Sequence, residues 1–257
     1  MVDFEYKPNY QFEDLLKIMN ILRSECPWDR EQTHESIRAN LLEEAYEACE
    51  AIDLNNSDML REELGDVLLQ VIFHSVIAGE SGGFSIDDVC DTVSKKLIGR
   101  HPHIFGEAEA NSADDVLEVW DKIKKAEKGQ NSYTDSVTAV AKSLPSLTRA
   151  DKVQGRAAKS GFDFSNAEDA WKKVLEEADE FIGAEPDCEE EELGDLLFAV
   201  VNVARLKKID SERALEKATE KFIRRFAFVE REGGENFENM SLEQMDKLWD
   251  MAKQSGI

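Results

Sequence analysis

The sequence predicts an all-α protein built from two tandem repeats of one helical bundle. Apolar residues recur at three- and four-residue steps along most of the chain, and no run alternates with period two for long enough to make a strand. Several landmark motifs also occur twice in the same order.

Stripes of helical period can be drawn in order through 12–24, 37–52, 60–75, 86–98, 115–126, 167–182, 190–206, 212–231 and 242–252. In 60–75, for example, Leu60, Leu64, Leu68, Val71 and Ile72 form one apolar face. Helix starts are marked by Ser57-Asp58, by Ser85 with Asp88, by Ser112 ahead of Asp114-Asp115, and by Ser241 with Gln244 as a capping box. The repeats are explicit. Leu42-Glu43-Glu44-Ala45-Tyr46-Glu47 returns as Leu175-Glu176-Glu177-Ala178-Asp179-Glu180, an offset of 133. Glu62-Glu63-Leu64-Gly65-Asp66 returns as Glu191-Glu192-Leu193-Gly194-Asp195, an offset of 129. Lys96 and Arg100 are echoed by Lys221 and Arg225, and Trp120 with Lys124 by Trp249 with Lys253. The turn-rich stretch Lys128–Asp135 lies between the copies and places a boundary near 130, with domains expected at 1–130 and 131–257.

Charge narrows the function. With 31 Lys and Arg against 55 Asp and Glu, the net charge of −24 repels phosphate backbones and anionic lipid, so neither nucleic acid nor a membrane is an expected partner. The 42% hydrophobic content still allows a folded core. The first eight residues have no basic-then-apolar export segment, and Leu196–Val201 is far shorter than the ~20 apolar residues of a membrane span. The four cysteines, at 26, 49, 90 and 188, form no C-x-x-C pair. A soluble, cytoplasmic protein is expected.

Each half carries E-x-x-E followed by E-x-x-D, and residues three apart on a helix present their side chains together, with Cβ atoms about 5–6 Å apart. Glu44 and Asp66 are equidistant from Asn55, as are Glu47 and Glu63; Glu177 and Asp195, like Glu180 and Glu192, are equidistant from Pro186. Both centres fall in turn-forming stretches, so two antiparallel hairpins would each gather four carboxylates, with the nearer pair roughly 12 Å and 9 Å from its turn at 1.5 Å per residue. Four facing carboxylates repel one another, and a divalent cation resolves the conflict. All-oxygen ligation selects Mg²⁺, with Mn²⁺ as the other hard ion. Gly65 and Gly194 sit inside these helices and are expected to allow close approach of the two backbones. The scarce cations form i,i+4 pairs at Lys96/Arg100 and Lys221/Arg225. With Trp120/Lys124 and Trp249/Lys253 they supply the groups that a magnesium-bound polyphosphate carrying a stackable base requires.

Other signals are weaker. Glu31-x-x-His34 is a lone E-x-x-H, whereas di-iron bundles use two, and Pro102 in His101-Pro102-His103 favours a loop over a metal ligand pair. There is no P-loop and no G-x-S-x-G.

Cys26-Pro27-Trp28-Asp29, Glu44-Ala45-Tyr46-Glu47, Glu63-Leu64-Gly65-Asp66, Arg100-His101-Pro102-His103-Ile104-Phe105 and the second pair of acidic motifs make the chain resemble the MazG nucleoside triphosphate pyrophosphohydrolases over almost its whole length. The resemblance implies an all-α pyrophosphatase fold and a homodimer with helices of both subunits near each site. It also implies hydrolysis of NTPs or dNTPs to monophosphate and pyrophosphate, a house-cleaning role against aberrant nucleotides, and a link to the stringent response. By position it implies metal ligation by Glu177, Glu180, Glu192 and Asp195, and nucleotide contacts by Lys173, Lys221, Arg225, Trp249 and Lys253. In the family the C-terminal copy is the better established as active. The first copy keeps Glu44, Glu47, Glu63, Asp66, Lys96, Arg100 and Trp120 but has Asn40 where the second has Lys173. Glu180, or its counterpart Glu47, is the expected general base. The rival expectation is a non-catalytic dimeric scaffold or a nucleotide-binding regulator.

Overall fold

The computed structural model describes residues 4–110, 112, 115, 116, 119, 120, 123, 124, 127, 129 and 132–257. Those residues form helices and connections, with no strand among them. None of the described helices is long and apolar enough to cross a membrane. The chain divides into two compact units, Met1–Ile123 and Lys124–Ile257; the sequence had placed its boundary near 130.

The first unit contains α1 (Phe12–Glu25), α2 (Pro27–Glu31), α3 (Arg38–Asp53), α4 (Ser57–Glu80), α5 (Ile86–Arg100) and α6 (Pro102–Phe105). Its core is Met19, Ile37, Ile72 and Phe73, flanked by Leu15, Leu16, Leu69 and Val76. Arg23 is buried beside that core and fully engaged: its guanidinium pairs with both oxygens of Glu80, donates to the carbonyls of Asp29 and Gln32, and lies over the Phe73 ring. It thereby staples the α1–α2 corner to the end of α4. The α3–α4 turn is tight because Asn55 adopts a left-handed φ of 51°, a conformation asparagine tolerates better than most residues. The α4 cap is Asn56, whose side chain accepts from the Met59 amide at 3.2 Å, with Ser57 already helical. The Ser85/Asp88 capping box is present, and the Ser112 amide donates to the Asp115 carboxylate while the Asp115 amide donates to the Ser112 hydroxyl; Asp114 lies outside the described residues.

The second unit contains α7 (Tyr133–Thr138), α8 (Ser146–Ala158), α9 (Ala167–Gly183), α10 (Glu189–Leu206), α11 (Ser211–Gly233), a 3₁₀ turn (Gly234–Asn239) and α12 (Leu242–Gln254). Ala170, Val174, Ala199 and Val203 weld α9 to α10. Asn166, Asp210 and Ser241 cap α9, α11 and α12, the last as the expected capping box with Gln244. Gly234, at φ 52°, ends α11. Two helices of this unit lie where sequence periodicity marked none. Tyr133–Thr138 is nucleated by a Ser132/Asp135 capping box inside the expected connection. Ser146–Ala158 packs on α10. Pro102, expected in a loop, instead opens the short helix α6, where its missing N–H costs nothing.

Two carboxylate hairpins and a candidate active site

Both hairpins have the expected centres: α3 ends at Asp53 and α4 begins at Ser57 around Asn55, while α9 ends at Gly183 and α10 begins at Glu189 around Pro186. In the first, ligand oxygens of Glu44, Glu63 and Asp66 lie within 4.8 Å of one another. Partial burial, then the facing charge of Asp66 and that of Glu47, push the Glu44 carboxyl above its ordinary range. Partial burial, then the facing charge of Glu47, push Glu63 up as well. The helices therefore lie in the register that sets Glu44 against Asp66 and Glu47 against Glu63. In the second hairpin, Glu177, Glu192 and Asp195 are gathered within the same 4.8 Å. Glu180 stands beside them, and its pKa is raised chiefly by a hydrogen bond shared with Glu177, then by burial and the charge of Glu177.

The two glycines do not act as expected. A Cβ built on Gly65 or on Gly194 meets nothing within 4 Å, so neither permits close approach of the facing backbones. The carboxylates reach one another through the length of the glutamate side chains.

The cations divide into two groups. Lys173 lies on α9 with the second cluster, its ammonium 2.6 Å from Glu177 and 2.7 Å from Glu176, and these two hydrogen bonds, that of Glu176 first, hold its pKa well above the usual lysine value. At the matching place on α3 stands Asn40. The second group forms an arm on α11 and α12. The Arg225 guanidinium lies 5.8 Å from the Trp249 ring and donates from Nε to the Ile257 carbonyl at 2.8 Å. Phe222 packs on the same indole at 5.1 Å, Lys253 pairs with Asp250, and Lys221 is exposed. Trp249 thus braces Arg225. In the first unit the buried Arg100 lies 5.4 Å from the Trp120 ring and Lys96 is exposed; Lys124, half-buried, is the first residue of the second unit.

Beside the second carboxylate cluster opens a cavity of about 560 Å³. Lys173, Glu177 and Asp195 line one side and Phe162, Phe164 and Phe198 supply apolar walls; Gln154, Asn202 and Arg205 also face it. Sequence reading missed Gln154, Asn202 and the three phenylalanines. The signal for α8 was a faint stripe of Leu147, Ala150, Val153 and Ala157, diluted by small residues. It also missed that His34 stacks on His74, ring centres 5.1 Å apart and Nδ1 atoms 2.7 Å apart, with the His74 pKa lowered by burial and then by His34.

With this geometry in view, the comparisons are specific. The model of the MazG nucleotide pyrophosphohydrolase domain matches twice, at residues 32–105 and 166–229, each match spanning one carboxylate hairpin. The chain belongs to the MazG family. A nucleoside triphosphate pyrophosphohydrolase/pyrophosphatase MazG of Thermotoga maritima is 45% identical over 248 residues, covering 94% of this chain and 95% of that protein. A nucleoside triphosphate pyrophosphohydrolase of Escherichia coli K12 is 42% identical over 259 residues, covering 96% and 98%. A solved mazG-related protein from Thermotoga maritima aligns with 44% of this MazG chain and 98% of its own at 29% identity, with a TM-score of 0.40.

Proposed function

We propose that this MazG protein is a Mg²⁺-dependent hydrolase of nucleoside triphosphates, ribo- or deoxyribo- and aberrant nucleotides included, releasing the monophosphate and pyrophosphate, with the chemistry in the second unit. The observation that carries this reading is the cavity that opens on Glu177 and Asp195. A nucleoside-sized space, an acidic cluster and a lysine meet there. Family membership and the activity in the relatives' names support it.

The donor set fits a hard divalent ion: carboxylate oxygens alone, gathered within 4.8 Å, without histidine or thiolate. Glu177, Glu192 and Asp195 would hold it, with Glu180 completing the set from beside them, and when bound such an ion polarises phosphoryl oxygens and makes water a stronger acid. Glu180, hydrogen-bonded to Glu177 beside the cluster, accepts the proton of the attacking water. Lys173 holds Glu177 through an ion pair and lines the cavity where a phosphate would enter. Lys221 and Arg225, with Lys253, neutralise the departing pyrophosphate, Arg225 being held for this by Trp249.

The reading includes a homodimer. The α11 arm exposes Leu215, Phe222, Ile223 and Phe226, and α5 exposes Val93, Leu97 and Ile98. Such faces on long amphipathic helices are covered by a partner helix in soluble proteins. A second copy of the chain would cover them and bring its arm toward these carboxylates. The first unit, with its own Glu44, Glu47, Glu63 and Asp66 and the Lys96, Arg100 and Trp120 set, serves assembly in this reading.

A panel of NTPs, dNTPs and modified nucleotides with and without Mg²⁺, with products resolved by chromatography, tests the assignment. Monophosphate and pyrophosphate formed only with the metal are expected. Diphosphate and phosphate, or no turnover on any substrate, would overturn it.

A further inference from the structure

One wall of the second unit's cavity is held in place yet left uncovered. The connection between α8 and α9 turns at Gly161, whose φ of 86° is left-handed, and beyond it Asp163 ties the chain to α10. The Asp163 carboxylate accepts from the Arg205 guanidinium and, through Oδ1, from the Phe164 amide at 2.9 Å. Arg205 is itself anchored on α10, donating to Asn202 Oδ1 from Nε at 3.1 Å and from Nη2 at 2.8 Å. The ion pair is largely sequestered, with side-chain exposures of 16% for Arg205 and 23% for Asp163. A charge-assisted pair in such surroundings holds more firmly than a surface pair, and removing one partner strands the other.

Between the turn and this latch stands Phe162. It lines the cavity but is 83% exposed, whereas Phe164 and Phe198, which line it too, are each about half as exposed. An aromatic ring stabilises a fold by being buried. Phe162 is not buried, although the backbone on both sides of it is constrained. The latch therefore holds a ring whose surface is open to a ligand in the cavity. Lys173, Glu177 and Asp195 line the same cavity, so groups suited to metal-bound phosphate and an uncovered aromatic ring border one space. The indole of Trp249, by contrast, already carries Arg225 and Phe222.

We propose that the substrate's base stacks on Phe162, and that Asp163 and Arg205 are positioning residues that hold this ring at the cavity. The proposal rests on the pyrophosphohydrolase reading and adds which part of the fold takes the base. Stacking on one aromatic side chain strengthens binding by about 5- to 150-fold, and every base has a face that can stack. The contact is made equally in the ground state and the transition state, since the ring borders the nucleoside and not the reacting phosphates. Its loss therefore appears in KM and not in kcat.

The test is steady-state hydrolysis of ATP with Mg²⁺ beside calorimetric binding of AMP, both on the full-length protein. Because Phe162 is exposed, its variants should keep the wild-type Tm. Phe162→Ala should raise KM for ATP and weaken AMP binding by about tenfold, with kcat changed less than about twofold. Phe162→Tyr, which keeps the ring, should stay within about twofold of wild type in both, whereas Phe162→Leu, which keeps apolar bulk without a flat face, should behave as Phe162→Ala. Asp163→Ala should raise KM by a similar factor, and adding Phe162→Ala to it should change KM by less than about twofold, because the latch acts through that ring. Asp163→Asn, which keeps an acceptor for Arg205 without the charge, should raise KM by about threefold and guards against an Asp163→Ala protein that fails to fold. Wild-type KM and AMP affinity in Phe162→Ala or Phe162→Leu, or losses in Asp163→Ala and Phe162→Ala that add in full, would overturn the inference while leaving the hydrolase reading intact. Absence of pyrophosphate release by the wild type on any triphosphate, with AMP binding still weakened in Phe162→Ala and kept in Phe162→Tyr, would remove the hydrolase reading alone.

Discussion

The two hairpins share one backbone and one set of carboxylates, yet differ in what lies behind the metal-ligand face. Along α4 and α10, aligned by Asp66 and Asp195, Leu69 matches Phe198, Gln70 matches Ala199 and Phe73 matches Asn202. In the first unit Phe73 is buried in the cluster with Met19, Ile37 and Ile72. In the second, Ala199 and Asn202 leave a cavity that runs to Glu177 and Asp195. Lys173 against Asn40 adds a cation to one cluster and a neutral amide at the matching place on α3 of the other. The carboxylates are the same in the two copies, whereas two or three side chains behind them differ, and with them the space beside the cluster. The residues one turn beyond the carboxylates, and not the carboxylate motif itself, therefore distinguish the two copies.

The sharpest way to break this comparison is at the proposed base. Glu180→Gln is expected to reduce pyrophosphate release by about 10²–10⁴-fold with the circular dichroism spectrum and oligomeric state unchanged, while Glu47→Gln changes it less than about twofold. Turnover that survives both changes removes the glutamate-base assignment.

Exchanging the filler residues comes next. Asn202→Phe, which imports the first unit's residue, should raise KM for ATP by about tenfold or more, since one aromatic ring occupies much of the space available. The reverse change, Phe73→Asn, empties a packed core and should cost about 3–5 kcal/mol of stability in chemical denaturation without altering the KM of the folded enzyme. If Phe73→Asn instead creates new activity in a Glu180→Gln background, the first unit is a latent enzyme.

Much of the fold was legible because helical periodicity and caps are local. The hairpin register could be read from Glu44, Asp66 and their counterparts since a short turn leaves one antiparallel alignment. The cavity was not legible: Gln154 reads as a surface residue of an unremarked helix, and only packing of α8 on α10 turns it inward. The role given to Gly65 and Gly194 failed for a related reason, in that what a missing Cβ faces is set by tertiary structure.

Smaller effects test the electrostatics. Glu44, Glu63 and Glu180 all have carboxyl pKa values raised in the folded protein above the ordinary 4.5. A group shifted up in this way contributes its stabilisation below the ordinary value and loses it as pH rises through the folded value. Metal-free protein should therefore lose thermal stability as pH climbs above about 4.5, and Mg²⁺ at neutral pH should restore it; calorimetric scans across pH with EDTA or Mg²⁺ check this. A Tm that is indifferent to Mg²⁺ contradicts the assignment of these clusters as cation sites. The smallest change expected is from Gly65→Ala and Gly194→Ala, each stabilising by about 0.5–1 kcal/mol because helix propensity improves and nothing lies in the way. Loss of the proposed dimer in Gly194→Ala would show that a second copy covers that face.

The claim that the second hairpin alone carries the chemistry is tested most directly by assaying Glu192→Ala beside Glu63→Ala, with ATP and Mg²⁺ at saturation. Glu192→Ala should lower pyrophosphate release by about 10³-fold, the several kcal/mol that metal-assisted phosphoryl chemistry supplies, and Glu63→Ala should stay within about twofold of wild type. Equal losses in the two variants would contradict it.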